Sequence, residues 1–317
     1  MTVLVVVEHD RGALSPASLE ALAAARTMGS EVHAIVLGEL ADGATETLAA
    51  HGAAVVHLVF SDLLTDYGPE LWGEALAQMV GAMQPSVVLA CGTDRGNEVM
   101  AQAAARLDLP MVANCVKVDP SSGAITRVRW GGSLLEECTL TAATKLVTVS
   151  HHAFEAAPAA AAGEISVVNL LDLDPALART VVADRVERAA GVTLATAPLV
   201  VGGGRAVGSA EAFAPLEELA ARLGGVVGCS RAVTNNGWRN HTDQVGQTGT
   251  RIAPDLYIAC GISGAIQHWV GAMASKKILA INTDPEANMV AKADYAVIGD
   301  LHKVVPAITA EIIRRRG

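Results

Sequence analysis

The residues best suited to ligand chemistry lie in segment 261–268, which reads Gly-Ile-Ser-Gly-Ala-Ile-Gln-His. A short apolar run, Leu256–Cys260, precedes it, and apolar residues recur after it at helical spacing, which predicts a strand, a glycine turn and a helix. Glycines let the backbone pass close to a ligand, and the first N–H groups of a helix have no partner within the helix. Because such N–H groups bind anions, the segment is suited to a pyrophosphate.

A second polar segment lies just upstream, at 244–249, with the sequence Gln-Val-Gly-Gln-Thr-Gly. It is too rich in glycine and hydrogen-bonding side chains for a packed element, so we expect a loop that faces a ligand. Ser230 and Arg231 follow one apolar run and Asn282 follows another. The carboxyl ends of parallel strands are where open sheets bind ligands. Judged by itself, Arg231 would be interpreted as a structural ion-pair partner.

Two motifs that are typical of enzymes are each incomplete in this sequence. Segment 202–205, Gly-Gly-Gly-Arg, follows an apolar run, but Val207 stands where the pattern G-x-G-x-x-G requires glycine. A nicotinamide-dependent dehydrogenase is therefore only weakly supported. Ser263 and His268 suggest a hydrolase, but the nucleophile elbow needs glycine two residues after the serine, and Ala265 stands there. We predict no catalytic residue.

The composition indicates a globular α/β protein. A chain of 317 residues is long enough for two domains, and hydrophobic residues make up 51% of it against 18% charged residues. The formal net charge of −10 argues against nucleic-acid binding, because that function needs clustered Lys and Arg to neutralise phosphates. The basic run 314–316 is better explained as the end of a terminal helix, where cations complement the helix dipole.

The five cysteines are scattered and include no C-x-x-C pair, which is typical of reduced core thiols in a reducing compartment. The chain enters the apolar run Val3–Val7 almost at once, with no basic leader, so we expect a cytoplasmic protein. The adjacent residues His151 and His152 lack spaced partners. We therefore expect a strand-end pair there and no metal site.

Apolar runs alternate with helical stretches along most of the chain, a pattern typical of βαβ units. Four strand-like runs between Val112 and Val149 are joined by short turns, so we expect antiparallel strands in that part. Segment 91–96 lies between a strand and a helix, where it is either a ligand-binding turn or a structural turn with an Asp or Thr helix cap.

The stretch from Arg179 to Pro198 is charged at first and then small and polar, which is typical of a domain boundary. The expected fold class is α/β, with two doubly wound domains that have mostly parallel sheets. The expected domains are 1–194 and 195–317.

Together these segments resemble the FAD-binding domain of the alpha subunit of electron-transfer flavoproteins. Several unusual segments in one fixed order carry the match: 230–231, 244–249, 252–259, 261–268, 280–282, 284–287, 293–295 and 299–301. Such an ordered set is more specific than a lone glycine fingerprint. The likeness is close from about Leu199 to Pro306 and holds only in outline before that.

The resemblance implies a Rossmann-like second domain that binds one FAD. It places Arg231 against the isoalloxazine ring, Thr248 near the flavin N5 edge and His268 near the pyrimidine end of the ring, where donors and positive charge stabilise the negative charge of reduction. Asp300 could equally be only the cap of the last helix. The implied cofactor-binding residues are Arg205, Ser230, Arg231, Gln244, Val245, Gly246, Gln247, Thr248, Ser263, Gly264, Ala265, Ile266, Gln267, His268, Asn282, Asp300 and Leu301.

The resemblance also implies partners. The chain would be a redox carrier rather than an enzyme, paired in a heterodimer with a beta subunit that binds AMP or a second FAD. Domain 1–194 would serve mainly to pack on that subunit. Flavoprotein dehydrogenases, acyl-CoA dehydrogenase among them, would donate electrons, and a quinone-linked oxidoreductase or another acceptor would receive them.

Some positions depart from the family pattern. His151 and His152 stand where many members carry Arg-Pro, and Asn288, Val290 and His302 replace commoner residues. The subgroup therefore stays open, and an electron-bifurcating member is one alternative. Two further alternatives are a nicotinamide-dependent oxidoreductase with its own substrate and a non-redox scaffold that keeps a flavin-like fold.

Overall fold

The structure is a computed structural model that describes residues 1–28, 31–132, 134–169, 172–183 and 192–316. The chain divides into two compact units. Unit 1 comprises Met1–Trp130 and Leu134–Glu187, and unit 2 comprises Arg188–Gly317 with Gly131–Ser133. The boundary expected after residue 194 stays a prediction. No helix in the described ranges is both long enough and apolar enough to cross a membrane.

Unit 1 is built on a nine-stranded sheet and a small hairpin. Its strands are Thr2–Val6 (β1), His9–Asp10 (β2), Ala13–Leu14 (β3), Glu31–Leu37 (β4), Val55–Val59 (β5), Val87–Cys91 (β6), Met111–Val118 (β7), Ala124–Arg129 (β8), Leu134–Thr139 (β9), Lys145–Val149 (β10) and Glu164–Val168 (β11). The hairpin consists of β2 and β3, and the strand order of the large sheet is β11-β5-β4-β1-β6-β10-β7-β8-β9.

The sheet is mostly parallel, as expected, and becomes antiparallel only at one end. Strands β7, β8 and β9 pair antiparallel, which confirms that part of the expectation for the region after Val112. The expectation is wrong for β10, which lies between β6 and β7 and is parallel to both. Four of its five residues are buried, because a central strand is covered on both faces.

Helices cover both faces of the sheet in unit 1. They are Pro16–Arg26 (α1), Ala44–Ala50 (α2), Pro69–Met83 (α3) and Asp94–Leu107 (α4). One apolar core includes α1 and the α2 residue Leu48, and the core on the other face includes residues of α3 and α4. Helix α1 begins with the Ser15 hydroxyl as its N-cap and a proline in its first turn.

Unit 2 has a five-stranded sheet, and all its pairings are parallel. Its strands are Leu199–Gly203 (β12), Val226–Cys229 (β13), Leu256–Cys260 (β14), Ile278–Asn282 (β15) and Tyr295–Ile298 (β16). Its helices are Ala214–Leu223 (α5), Arg231–Asn235 (α6), Ile266–Ala272 (α7), Asn288–Lys292 (α8) and Leu301–Arg316 (α9).

The strand order in unit 2 is β13-β12-β14-β15-β16. The chain moves from β12 to β13 on one side and then crosses to β14 on the other side of β12. This reversal is a topological switch point, and in open α/β sheets ligands bind in the crevice at the carboxyl ends of the strands there. The doubly wound α/β class is therefore confirmed for both units.

Two glycines on α3 test how closely α3 and α4 pack. A Cβ atom on Gly73 would lie 2.2 Å from Cβ of Gln102 on α4, whereas a Cβ on Gly81 would meet nothing within 4 Å. We expect Gly73→Ala to destabilise unit 1 by about 1–3 kcal/mol through overpacking. The matched variant Gly81→Ala should stabilise it by about 0.5–1 kcal/mol through helix propensity. Urea unfolding followed by circular dichroism would measure both, and equal effects would contradict the packing of these helices.

Candidate cofactor-binding site

A cleft of about 520 Å³ opens at the carboxyl edge of the sheet in unit 2, at the switch point. Its walls are the turns that follow β12, β13, β14 and β15. Its volume is within the usual range of small-molecule sites. The lining residues are Arg205, Ala206, Ser230, Arg231, Ala232, Asn235, Gly261, Ile262, Ser263, Gly264, Ala265, Gln267, His268, Asn282, Asp284 and Ala287.

The glycine turn after β14 has the conformation that its sequence predicts. Gly261 and Gly264 have φ values of 63° and 78°, a region that side chains disfavour. A Cβ atom on Gly264 would also lie 2.3 Å from the backbone nitrogen of Met289. Helix α7 begins after Ala265, which has no side-chain cap. The N–H of His268 already donates to the carbonyl of Ala265 at 2.9 Å, so only the N–H groups of Ile266 and Gln267 keep their hydrogen-bonding capacity for a ligand.

Strand β13 delivers Ser230 and Arg231 to the cleft. Ser230 is buried, and its hydroxyl makes no hydrogen bond to any described residue. Arg231 is exposed and has no ion-pair partner among the described residues. By contrast, Arg239 in the same unit bonds to Glu217 and, at 2.9 Å, to Asp243. A free hydroxyl and an uncompensated guanidinium are suited to a polar, anionic ligand.

His268 lies at the base of the cleft and is 6% exposed. Its Nε2 is 2.8 Å from the hydroxyl of the fully buried Tyr257. Burial raises the pKa of Tyr257 well above its usual value, so this hydroxyl stays protonated and can donate to Nε2. The neutral imidazole then carries its hydrogen on Nδ1, and this buried atom makes no hydrogen bond among the described residues.

The charge state of His268 follows from its burial. Desolvation lowers its pKa from 6.5 to about 4, and the nearby carbonyl of Val245, which does not meet the geometry of a hydrogen bond to Nδ1, partly opposes this shift. The ring is therefore neutral near pH 7. It offers a ligand an N–H donor rather than a full positive charge.

Loop 244–249 packs beside α7 instead of lining the cleft directly. Its backbone N–H at Gln247 donates to the carbonyl of Gln267 at 2.7 Å. The buried Gln244 amide donates to the Thr248 hydroxyl at 3.0 Å. Since that hydroxyl oxygen accepts this bond, its own hydrogen is available to a further acceptor. Thr248 is exposed and can present that donor outward.

The polar side chains at the ends of β15 and β16 are engaged in hydrogen bonds within the protein. Asn282 donates from its amide to the carbonyl of Ile262 at 3.1 Å and so fixes the cleft floor. The Asp300 carboxylate accepts a bond from the N–H of His302 at 2.9 Å, so it caps α9. Leu301 is buried in the core.

The predicted residues therefore fall into two groups, and their assignment to a cofactor stays a prediction. The structure brings one group together around the cleft: Arg205, Ser230, Arg231, Ser263, Gly264, Ala265, Gln267, His268 and Asn282. The remaining predicted residues lie outside its lining: Gln244, Val245, Gly246, Gln247, Thr248, Ile266, Asp300 and Leu301. The lining residues outside the predicted set are Ala206, Ala232, Asn235, Gly261, Ile262, Asp284 and Ala287. Asn235 and Asp284 are the polar ones with side chains, and only Asp284 follows a strand closely enough to have been found from its position.

Segment 91–96 in unit 1 forms a structural turn with a threonine helix cap, which is one of the two interpretations of its sequence. The Thr93 hydroxyl caps α4 by accepting a bond from the N–H of Gly96 at 2.9 Å. It also donates a short hydrogen bond to the carboxylate of Glu8. A Cβ atom on Gly96 would lie 2.0 Å from the carbonyl oxygen of Cys91, so this glycine is required by packing.

The parallel sheet, with its switch-point cleft and glycine turn, places unit 2 in the doubly wound α/β class, in which ligands bind at the switch point. Comparison with protein families agrees with this class. The family model described as "Electron transfer flavoprotein domain" matches residues 3–173. The model described as "Electron transfer flavoprotein FAD-binding domain" matches residues 193–273.

Individual relatives extend the match to the whole chain. Electron transfer flavoprotein subunit alpha from Mycobacterium tuberculosis is 40% identical over 317 residues, which cover 99% of each chain. The subunit from Mycobacterium leprae is 38% identical with 99% of each chain covered. That from Bacillus subtilis is 36% identical over 98% of this chain and 96% of the relative. The chain belongs to the electron transfer flavoprotein alpha-subunit family.

The depressed pKa of His268 predicts a pH-dependent stability. In the unfolded chain His268 has its ordinary pKa of 6.5 and is protonated below that pH. In the folded protein the ring is protonated only near pH 4. The stability is therefore complete above pH 6.5 and is lost as the pH falls towards 4, by up to about 3 kcal/mol. We expect His268→Gln to flatten this part of the profile, and His302→Gln, at an exposed site, to leave it unchanged. Unfolding at several pH values would measure this, and an unaltered profile for His268→Gln would refute the assignment.

Proposed function

We propose that this chain binds one FAD in the unit 2 cleft and carries electrons between partner proteins. The observation that supports it most is the pair of buried polar atoms that line the cleft without a partner, Ser230 Oγ and His268 Nδ1. Burying an unsatisfied polar group costs free energy, so such atoms indicate a ligand that completes their hydrogen bonds. The name of the family model that matches residues 193–273 specifies FAD.

The residues present are suited to the two ends of such a cofactor. The glycine turn at Gly264 and the start of α7 provide N–H donors for a pyrophosphate, and Arg205 adds a positive charge. Ser230 and Arg231 follow β13, His268 lies on α7 after β14, and all three line the cleft. We assign the part of the cleft that these three residues line to the isoalloxazine ring and the turn after Asn282 to the adenosine half.

When bound, FAD supplies the redox chemistry, and the chain supplies binding, orientation and electrostatics. Arg231 has a fixed positive charge that favours added negative charge on a neighbouring ring system. The Nδ1–H of His268 and the free hydroxyl hydrogen of Thr248 add donors without adding charge. Such fixed groups raise the affinity for electrons and need no proton transfer by the protein. A carrier is therefore better supported than an enzyme with its own organic substrate.

The partners follow from what the relatives are called. The term "subunit alpha" in their names supports a beta subunit, with which this chain would form a heterodimer. In our proposal that subunit holds AMP or a second FAD, flavoprotein dehydrogenases such as acyl-CoA dehydrogenase donate electrons, and a quinone-linked oxidoreductase or another acceptor receives them. We place this exchange in the cytoplasm. An electron-bifurcating member of the family would use the same cleft.

The nicotinamide alternative loses its main sequence support in the structure. The glycines at 202–204 face protein atoms, because Cβ atoms there would meet Tyr257, Phe213 and Gly261 at 2.0–2.3 Å. The N–H of Gly204 already donates to the carbonyl of Cys260 at 2.8 Å. This glycine run is therefore explained by close packing rather than by a phosphate.

Co-expression with the beta subunit tests the proposal directly. We expect the purified complex to be yellow, to accept electrons from a flavoprotein dehydrogenase and to release FAD on denaturation, one per alpha chain with an AMP-binding beta subunit and two with an FAD-binding one. Reconstitution with FAD should give the same absorbance in a chain purified without cofactor. A complex that takes up no flavin would support the scaffold alternative, and reduction of a small substrate with NAD(P)H and no flavin would support the oxidoreductase.

Arg231 gives a more specific prediction. We expect Arg231→Ala to lower the reduction potential of the bound flavin, because a positive charge next to the ring is lost, and Arg231→Lys to restore part of it. The control is Arg222→Ala, which removes another exposed arginine of unit 2 that pairs with Glu218 on α5. Spectroelectrochemical titration measures the potential. An equal potential in Arg231→Ala and the control would place Arg231 away from the ring.

A further inference from the structure

Unit 1 contains a cluster of ligand-type side chains that the electron-carrier function does not use. Glu20 on α1 faces His151 and His152, which follow β10. The Glu20 Oε1 atom is 3.1 Å from His152 Nδ1 and 3.6 Å from His151 Nε2. One ligand atom from each residue can be chosen so that all lie within 4.8 Å of one another. Sequence spacing concealed the cluster because Glu20 and His152 are 132 positions apart.

We propose that Glu20, His151 and His152 form a binding site for a divalent transition-metal ion of the zinc class. Two imidazoles and one carboxylate are a common ligand set for zinc. Zn–N and Zn–O bonds of about 2.0–2.2 Å place the ligand atoms of a tetrahedral ion roughly 3.3 Å apart. The distances from Glu20 Oε1 to His152 Nδ1, 3.1 Å, and to His151 Nε2, 3.6 Å, lie on either side of that value. An ion therefore fits between these atoms with small side-chain shifts.

The backbone and the rings are already arranged for this geometry. His152 has a φ of 63°, a conformation uncommon for a residue with a side chain. Its N–H donates to Glu20 Oε2 at 2.7 Å, which orients the carboxylate and leaves Oε1 directed at the histidines. The two rings stack with centroids 3.7 Å apart and planes 22° apart. This stacking brings the nitrogen edges of both rings to the same carboxylate oxygen.

The charge balance favours a cation at this position. The side chain of Glu20 is only 12% exposed, and the two histidines are the only groups within ion-pair distance of it among the described residues. A buried carboxylate needs a compensating charge. Two stacked imidazolium rings would repel each other, whereas neutral imidazoles can ligate a metal ion that compensates the carboxylate. Nδ1 is the nitrogen of His152 that faces Glu20, whereas Nε2 is buried and makes no hydrogen bond among the described residues.

The site would connect α1 to the segment after β10. The side chain of His151 is 24% exposed, which provides access for the ion and leaves a fourth position for water. An ion that binds only the folded state raises the thermal stability of the protein by mass action. The proposed role is therefore structural, and it is independent of FAD in unit 2.

The test uses the full chain, stripped of metal by a chelator and dialysed. We expect titration calorimetry to show saturable binding of one Zn²⁺ per chain, and Co²⁺ to give the visible absorption of a tetrahedral site. Saturating Zn²⁺ should raise Tm. The variants Glu20→Gln and His152→Gln should each weaken binding at least about tenfold, a loss that even outer-shell partners of a metal produce.

The control variant is His51→Gln, which removes another half-buried histidine of unit 1, whose Nδ1 is 2.8 Å from the carbonyl of Thr47. It should bind Zn²⁺ as the unchanged chain does. Absence of saturable binding to the unchanged chain would overturn the proposal. Equal affinity in Glu20→Gln and His152→Gln would also overturn it, because the ion would then lie elsewhere, for example at His33 and His57. Stabilisation by low pH alone, without any effect of metal, would show a protonated His–Glu pair instead.

Discussion

The buried contact between Tyr257 and His268 is the constraint on which the unit 2 cleft depends. It joins the central strand β14 to helix α7 across the turn that contains Gly261 and Gly264. The Tyr257 hydroxyl occupies space that a Cβ atom on Gly202 would fill, at 2.2 Å. The absence of a side chain at Gly202 in β12 therefore allows the Tyr257 hydroxyl to reach His268. Burial keeps the imidazole neutral, and the contact with Tyr257 orients it as a hydrogen-bond donor towards the cleft.

The distribution of charge around this contact is suited to an electron carrier. Burial keeps His268 neutral, and the ion pairs of Arg239 neutralise a second arginine away from the cleft. Arg231 lines the cleft without such a partner among the described residues. The positive charge that remains lines the cleft, where in our proposal a reduced cofactor gains negative charge. Preorganised groups of this kind act without rearranging when the electrons arrive.

The two units share one architecture but differ at their switch points. In unit 1 the crevice between the ends of β1 and β6 has a volume of only about 10 Å³. The bond between Glu8 and Thr93 closes part of it, and the Arg95 guanidinium lies 4.8 Å from the centre of the Tyr67 ring. In unit 2 the corresponding position is lined by glycines and small residues and stays open. The switch point is thus filled by side chains in unit 1 and left as an open cleft in unit 2.

Much of the fold and part of the candidate site were predictable from local pattern. The alternation of apolar runs and helical stretches indicated doubly wound units, because strands of parallel sheets are buried on both faces. Strand β10 was misjudged because a short turn before an apolar run does not reveal which neighbours the strand will join. Asp300 could be interpreted as ligand or cap from sequence; its bond to the N–H of His302 shows that it caps α9, and its contact with a cofactor stays a prediction.

The sequence by itself determined the family, the α/β class and the segments around the cleft, because glycine turns, strand ends and helix starts are encoded by neighbouring residues. Only the tertiary structure decided which side chains meet. It joined Tyr257 to His268, separated loop 244–249 from the cleft lining and brought Glu20 to His151 and His152. Contacts between distant positions depend on how strands pair and helices pack, and a single sequence does not record that arrangement.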